Sequence, residues 1–307
     1  MPPSESTTTI DGRRIGNPLG HRIFYALIRV AGRRAAYALL RCVIFYYVLL
    51  RPSVRQNTLH YLRRRFPGHA PVERFFDSYR MCFEFGKVLV DRAVMGIRGP
   101  GEFQISLRGR EQLLGLLAEG KGLVLVTAHV GCWQVAMATL GCLETPVNML
   151  MRREEGELDR HYFEHSGENP YRIIDPAGFL GGTLEMLGVL KQGEVLCVMG
   201  DRVTGSARNA VPVDFLGGRA AFPFSAFKLA STTGAPVVVM FTCKTGPGSY
   251  ALELARVIRV SRDLGRSGEA AAPYVAEFAE ALEGFVEKYP YQFFNFFDLW
   301  NQSTDSR

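Results

Sequence analysis

Residues 121–134, Lys-Gly-Leu-Val-Leu-Val-Thr-Ala-His-Val-Gly-Cys-Trp-Gln, decide how this chain is read. Lys121–Ala128 is a short apolar run beside a glycine, which predicts a strand buried on both faces. His129 follows directly. Gly131 permits a tight turn, and Cys132–Cys142 then reads as a helix. The unit is strand, turn, helix, with a histidine in the turn. Ligands of α/β sheets bind outside the carboxyl ends of the strands. Histidine is the side chain whose ordinary pKa best suits a general base near neutral pH. A lone His at a strand end also serves as a capping or packing residue, and the motif alone leaves both readings open.

The same alternation continues downstream. Strands are predicted over Pro146–Met151, Tyr171–Asp175, Glu194–Gly200, Val237–Cys243 and Tyr250–Val260, with Val211–Phe215 extended. Helices are predicted over Glu155–His165, Leu180–Lys191, Pro223–Gly234 and Pro273–Lys288. Strands alternating with helices of this length predict an α/β fold, a mixed central sheet flanked by helices. Upstream, residues 53–98 read as helices, with a stop at Pro67-Gly68 and a new start at Pro71. Gly99-Pro100-Gly101 breaks the chain. Three regions follow: a disordered tail over 1–20, a helical region over 21–100 and an α/β domain over 101–302.

Charge separates the helical part from the rest. Residues 1–100 carry 17 Arg and Lys against 6 Asp and Glu, net +11, while 101–307 carry 19 against 24, net −5. A basic first third predicts an anionic partner: phospholipid head groups, an acidic carrier protein or nucleic acid. Nucleic acid fits worst, because the arginines interleave with a long apolar face and no recognised nucleic-acid motif is present. In Ile23–Leu50 the arginines at 29, 33, 34 and 41 leave no charge-free run near the roughly 20 residues that a spanning helix needs. On a helical wheel those four, with Arg22 and Arg51, fall in a sector of roughly 140°, opposite an apolar and aromatic face. That pattern suits a basic amphipathic helix lying in a membrane interface, or one packed on the protein's own core with a solvated Arg face. Gly32 is a potential break. The first residues have no basic-then-apolar order of a signal peptide.

Two further clusters carry chemistry. Gly200-Asp201-Arg202 follows the strand Glu194–Gly200, so Asp201 can orient His129 or a substrate and Arg202 can bind a phosphate; an Asp cap beside a surface Arg is the plain alternative. Arg219, after the Phe215–Gly218 turn, stands before a helix start and makes a candidate anion contact. Tyr291–Trp300 is dense in aromatics, either a core plug or an apolar wall for a fatty chain. GxSxG, GxGxxG, HExxH and P-loop motifs are absent, which removes the simple hydrolase, dinucleotide, zinc-protease and NTPase readings. The 6 cysteines are scattered without a CxxC pair, as expected of buried thiols in a reducing compartment. At 47% apolar and 21% charged residues the chain has a globular composition.

Taken in order, His129-x-Gly131-x-Trp133 after a strand, Gly200-Asp201-Arg202, Phe215-Leu216-Gly217-Gly218-Arg219 with Phe222-Pro223, Thr233-Gly234-Ala235-Pro236-Val237 and the closing Tyr291–Trp300 resemble the lysophospholipid acyltransferase superfamily, in its bacterial lipid A late acyltransferase branch. The resemblance runs from about Gly20 to Trp300. It implies acyl transfer from an acyl-carrier protein or acyl-CoA to a lipid acceptor, with His129 as general base. It implies no metal and no cofactor, and N-terminal membrane-associating helices on the cytoplasmic face of the bacterial inner membrane. Gly131, Trp133, Arg202 and Arg219 become expected substrate contacts. One position departs from the pattern. The family motif places Asp or Glu where this chain has Gln134, so either Asp201 supplies the carboxylate or catalysis is weakened to the point of a binding protein.

Overall fold

The computed structural model describes residues 18–151, 171–178, 182–203, 207–265 and 267–301. The helix expected over Glu155–His165 and most of the N-terminal tail lie outside them. Three helices come first: α1 (Pro18–Leu50), α2 (Pro52–Arg65) and α3 (Pro71–Arg98). Helix therefore begins inside the expected tail, at Pro18. The body follows as β1 (Gln104–Arg108), α4 (Arg110–Leu117), β2 (Leu123–Thr127), α5 (Trp133–Leu140), β3 (Val147–Leu150), β4 (Arg172–Ile174), α6 (Thr183–Lys191), β5 (Val195–Met199), β6 (Ala210–Phe215), β7 (Gly218–Pro223), α7 (Ser225–Thr233), β8 (Val237–Gly246), β9 (Ser249–Ile258) and α8 (Ala272–Lys288).

Seven strands form one mixed sheet in the order β1-β9-β8-β2-β5-β3-β4, parallel at every pairing except β8 with β9. β2 lies inside the sheet and is buried along its whole length, as its unbroken apolar run requires. Its side chains alternate between two cores. Val124 and Val126 point with Leu190, Phe227 and Phe278 toward α6, α7 and α8, while Leu123 and Leu125 join Leu113 and Leu116 of α4. A third core unites the N-terminal helices with the sheet: Ile28, Ala36 and Leu40 of α1 and Val88 and Val94 of α3 pack with Cys132, Tyr250 and Phe294.

The structure differs from the sequence reading at two places, and at two more it decides between readings the sequence left open. β1 and α4 went unread, because β1 is an edge strand of alternating exposed and half-buried residues with no apolar run. The residues after Gly218 form a second strand. Leu216 and Gly217 both take positive φ, the two-residue turn whose twist suits a hairpin, and β7 pairs back along all of β6. Gly32, at φ 74°, breaks the geometry of α1, so the six arginines do not share one continuous wheel. The aromatic segment is largely a core plug: Phe293, Phe294 and Leu299 are buried, and Phe293 packs edge-on against Tyr61 and Phe215.

One face of α1 packs on the protein's own core, and apolar side chains elsewhere on it stay exposed. Ile28, Ala36, Leu40 and Val48 face the interior, and Leu40 lies so close to α3 that a Cβ on Gly86 would meet its Cδ1 at 2.8 Å. Yet Val30 is 88% exposed, and Leu19, Ile23, Phe45, Tyr46, Leu49 and Leu50 stay about half exposed or more. Among the described residues no single helix is long and apolar enough to cross a membrane; α1 and α2, bent by 91°, pass that test only as a pair and only by length and composition.

Candidate active site

β2 and β5 are parallel neighbours, with Thr127 opposite Met199. Each functional residue stands two positions beyond its strand, so the register alone carries His129 and Asp201 to the same place. Gly200 donates its N–H to Thr127 O at 2.7 Å and has no room for a side chain, since a Cβ would sit 2.6 Å from Val126 Cγ1 and 2.9 Å from Phe278.

His129 Nδ1 lies 2.8 Å from Asp201 Oδ1 and 3.0 Å from Oδ2. The imidazole is 30% exposed and the carboxylate 2%. Burial pushes the Asp201 carboxyl up, but the charge and hydrogen bonds of His129, with Arg202 beside it, outweigh burial and hold it below its ordinary value. An ionised carboxylate only accepts hydrogen bonds, so Nδ1 carries the hydrogen, and in the neutral ring the lone pair is on Nε2.

The turn is fastened from outside. Gly131, at φ 52°, lies flush on β8, where a Cβ would overlap the Thr242 carbonyl oxygen; only glycine fits there. Its N–H is donated to Gln292 O at 3.1 Å and is therefore not a free donor for substrate. Val130 bridges to Phe293, and Phe294 N–H is donated to His129 O at 2.8 Å. Arg202 donates from Nη2 to Phe294 O at 3.1 Å and lies 5.4 Å from the centre of the Phe297 ring. Its Nε is buried and has no hydrogen-bond partner among the described residues, a donor in need of an acceptor. Burial lowers the guanidinium's pKa, and Asp201 opposes that shift.

The remaining expected residues fall in different places. Gln134 is buried in the first turn of α5, with Cys132 Sγ 3.7 Å from its Oε1; the carboxylate on His129 comes from Asp201. Trp133 sets its ring against Tyr171 at 6.1 Å. Arg219 is bound to its own hairpin, through Pro212 O at 2.7 Å and Asp214 at 3.4 Å, and no hydrogen bond or ion pair among the described residues joins it to His129 or Asp201. The same residues contain no cluster of three or more His, Cys, Asp or Glu able to hold a metal ion.

A partly exposed base with a buried orienting carboxylate and a nearby Arg suits proton abstraction in acyl transfer. In comparison with protein families, the model described as bacterial lipid A biosynthesis acyltransferase matches residues 22–302. The chain belongs to that family. A search of curated proteins found no match. The lipid A acyltransferase match spans α1 to the closing aromatic segment, so it takes in the helices and the sheet together. Within this acyltransferase, the residues that sequence reasoning missed are Gln292, Phe294, Lys244 and Asp91. Their signal was a lysine in an apolar strand and an aspartate among Val88, Val90 and Val94 of α3.

Proposed function

We propose that the protein moves a fatty acyl group from the thioester of an acyl-carrier protein or acyl-CoA to a hydroxyl or amine of a lipid acceptor at a membrane surface. The His129–Asp201 pair carries this reading. Asp201 keeps Nδ1 protonated and offsets the charge that His129 acquires. Nε2 removes the acceptor proton as its oxygen or nitrogen attacks the thioester carbonyl carbon. A bond forms to that carbon, the tetrahedral intermediate collapses, the C–S bond breaks, and the proton passes from Nε2 to the departing sulfur. Arg202 is the charged donor for the oxyanion, since the Gly131 amide is already engaged.

Asp201 supplies the carboxylate that Gln134 does not, which favours transfer over acyl binding alone. Exposed Leu19, Ile23 and Val30, and farther along α1 Phe45, Tyr46, Leu49 and Leu50, lie beside exposed Arg22, Arg29, Arg34, Arg41 and Arg51. Apolar side chains edged by arginine favour an anionic lipid surface, and with the family this supports peripheral residence on the cytoplasmic face of the inner membrane.

The test is acyl transfer from radiolabelled acyl-carrier protein and acyl-CoA into a total membrane lipid extract, comparing wild type with His129→Ala. A labelled lipid made by wild type and absent with the folded variant is expected. Equal labelling by both would end the mechanism. No product from either donor, with folded vesicle-bound protein, would favour acyl binding without transfer.

A further inference from the structure

A continuous run of hydrogen bonds joins the N-terminal helices to the His129 turn. Asp91 of α3 is fully buried and receives three donors from three elements: Tyr37 OH of α1 at 2.5 Å on Oδ1, Lys244 Nζ of β8 at 2.5 Å on Oδ2, and Tyr250 OH of β9 on the same oxygen. Lys244 also lies 4.5 Å from the Tyr250 ring centre. The backbone of Lys244 is then gripped by one side chain: its N–H is donated to Gln292 Oε1 at 2.7 Å, and its C=O accepts from Gln292 Nε2 at 2.9 Å. The backbone carbonyl of Gln292 accepts Gly131 N–H at 3.1 Å. His129 is two residues away and is itself tied to Phe294.

A buried ion pair is a poor device for stability alone, because apolar side chains of the same volume often serve as well or better. What this one provides is position. Four elements meet on one carboxylate, and Gln292, held at both ends of its amide, has a single setting from which its carbonyl reaches Gly131.

We propose that Gln292 is the positioning residue of the His129 turn, and that the Lys244–Asp91 pair anchors it to the helices 18–98. Placement of those helices then sets the geometry at His129. The turnover part of the inference rests on the acyl-transfer reading; the positioning part does not.

Two variants and two readouts test it. Gln292→Ala removes the clamp. Asp91→Leu with Lys244→Met replaces the anchor by apolar side chains and leaves the clamp on the Lys244 peptide in place. The first readout is the Nδ1–H proton signal of His129, in protein labelled with nitrogen-15 at histidine and assigned with His129→Ala. Gln292→Ala is expected to broaden or abolish this signal while the cooperative melt persists, and the apolar pair to weaken it. The second readout is turnover, where kcat falls about 100-fold for Gln292→Ala, the cost of a misplacement near 1 Å, with KM for the acyl donor changed by less than about threefold. If Gln292→Ala retains both the signal and kcat, Gln292 is not a positioning residue. If the folded apolar pair retains both, the link to the helices is wrong. A wild type that transfers no acyl group removes the reaction but leaves the proton signal to decide the positioning.

Discussion

His129 and Asp201 are 72 residues apart in sequence and share a 2.8 Å hydrogen bond, because the two parallel strands that precede them are in register. The pair therefore reports on the sheet as much as on the chemistry. Asp201→Asn keeps the volume and removes the charge. By analogy with an Asp-to-Asn change in a hydrolase triad, kcat is expected to fall by about 10⁴, measured as initial rate of acyl transfer, with the melt still cooperative. An activity loss of less than about tenfold would move the orienting role elsewhere.

Asp201 also makes stability depend on pH. Its folded-state value is held below the ordinary 3.8, so the unfolded chain binds the proton more readily. The resulting stabilisation is present above pH 3.8 and is lost as pH falls through the lower folded value. Thermal melts from pH 7 to pH 3 should show wild type losing Tm across the acid end of that range and Asp201→Asn losing less. Parallel curves would contradict it.

Gln134→Glu restores the residue type of the family motif, yet the expected outcome is no gain in turnover. The position is 3% exposed and lies beside Cys132, and His129 already has its carboxylate. A second buried carboxyl lowers stability unless it stays protonated. A rise in kcat of tenfold or more would show that a carboxylate acts from this position as well.

Gly131→Ala places a methyl group on the Thr242 carbonyl, at a φ that disfavours side chains. A destabilisation of at least about 1–3 kcal/mol is expected, read by denaturant titration, with acyl transfer falling more than the melt explains. Unchanged stability would mean that β8 yields at Thr242.

Phe45→Ser, Tyr46→Ser and Leu49→Ser together should weaken binding to anionic vesicles by at least about 100-fold, since each removes about 1 kcal/mol or more of apolar burial in lipid. All three are about half exposed, and Phe45 sets its ring edge-on against Phe75 and Tyr79, so Tm should fall modestly with the melt still cooperative. Vesicle flotation checks the first and thermal melting the second; unchanged flotation would place the lipid contact elsewhere.

Much of the site was legible in the sequence because it follows two short, strongly apolar strands. KGLVLVTA and EVLCVMG announce themselves, and His129 and Asp201 stand just past them. Their adjacency was legible only as one option, with a substrate contact or a loop cap as the others: strand order depends on packing between segments far apart in the chain. Arg219 looked free because its partner Asp214 lies across a hairpin whose second strand went unread. Gln292 looked like one polar residue in an aromatic plug, and its role needs the peptide of Lys244, 48 residues earlier. Lys244 and Asp91 were the readable exceptions, charges set in apolar periodicity, where only a buried partner makes sense.

Residues 292–294 close the turn that contains His129, and they are translated about 160 residues after it. At ribosomal rates of about 5–20 residues per second that interval lasts roughly 10–30 s. During it the N-terminal helices have emerged while His129 lacks the segment that fixes it. The nascent chain thus carries its N-terminal helices while the His129 turn is still open, and under the acyl-transfer proposal it stays inert until residues 292–294 emerge.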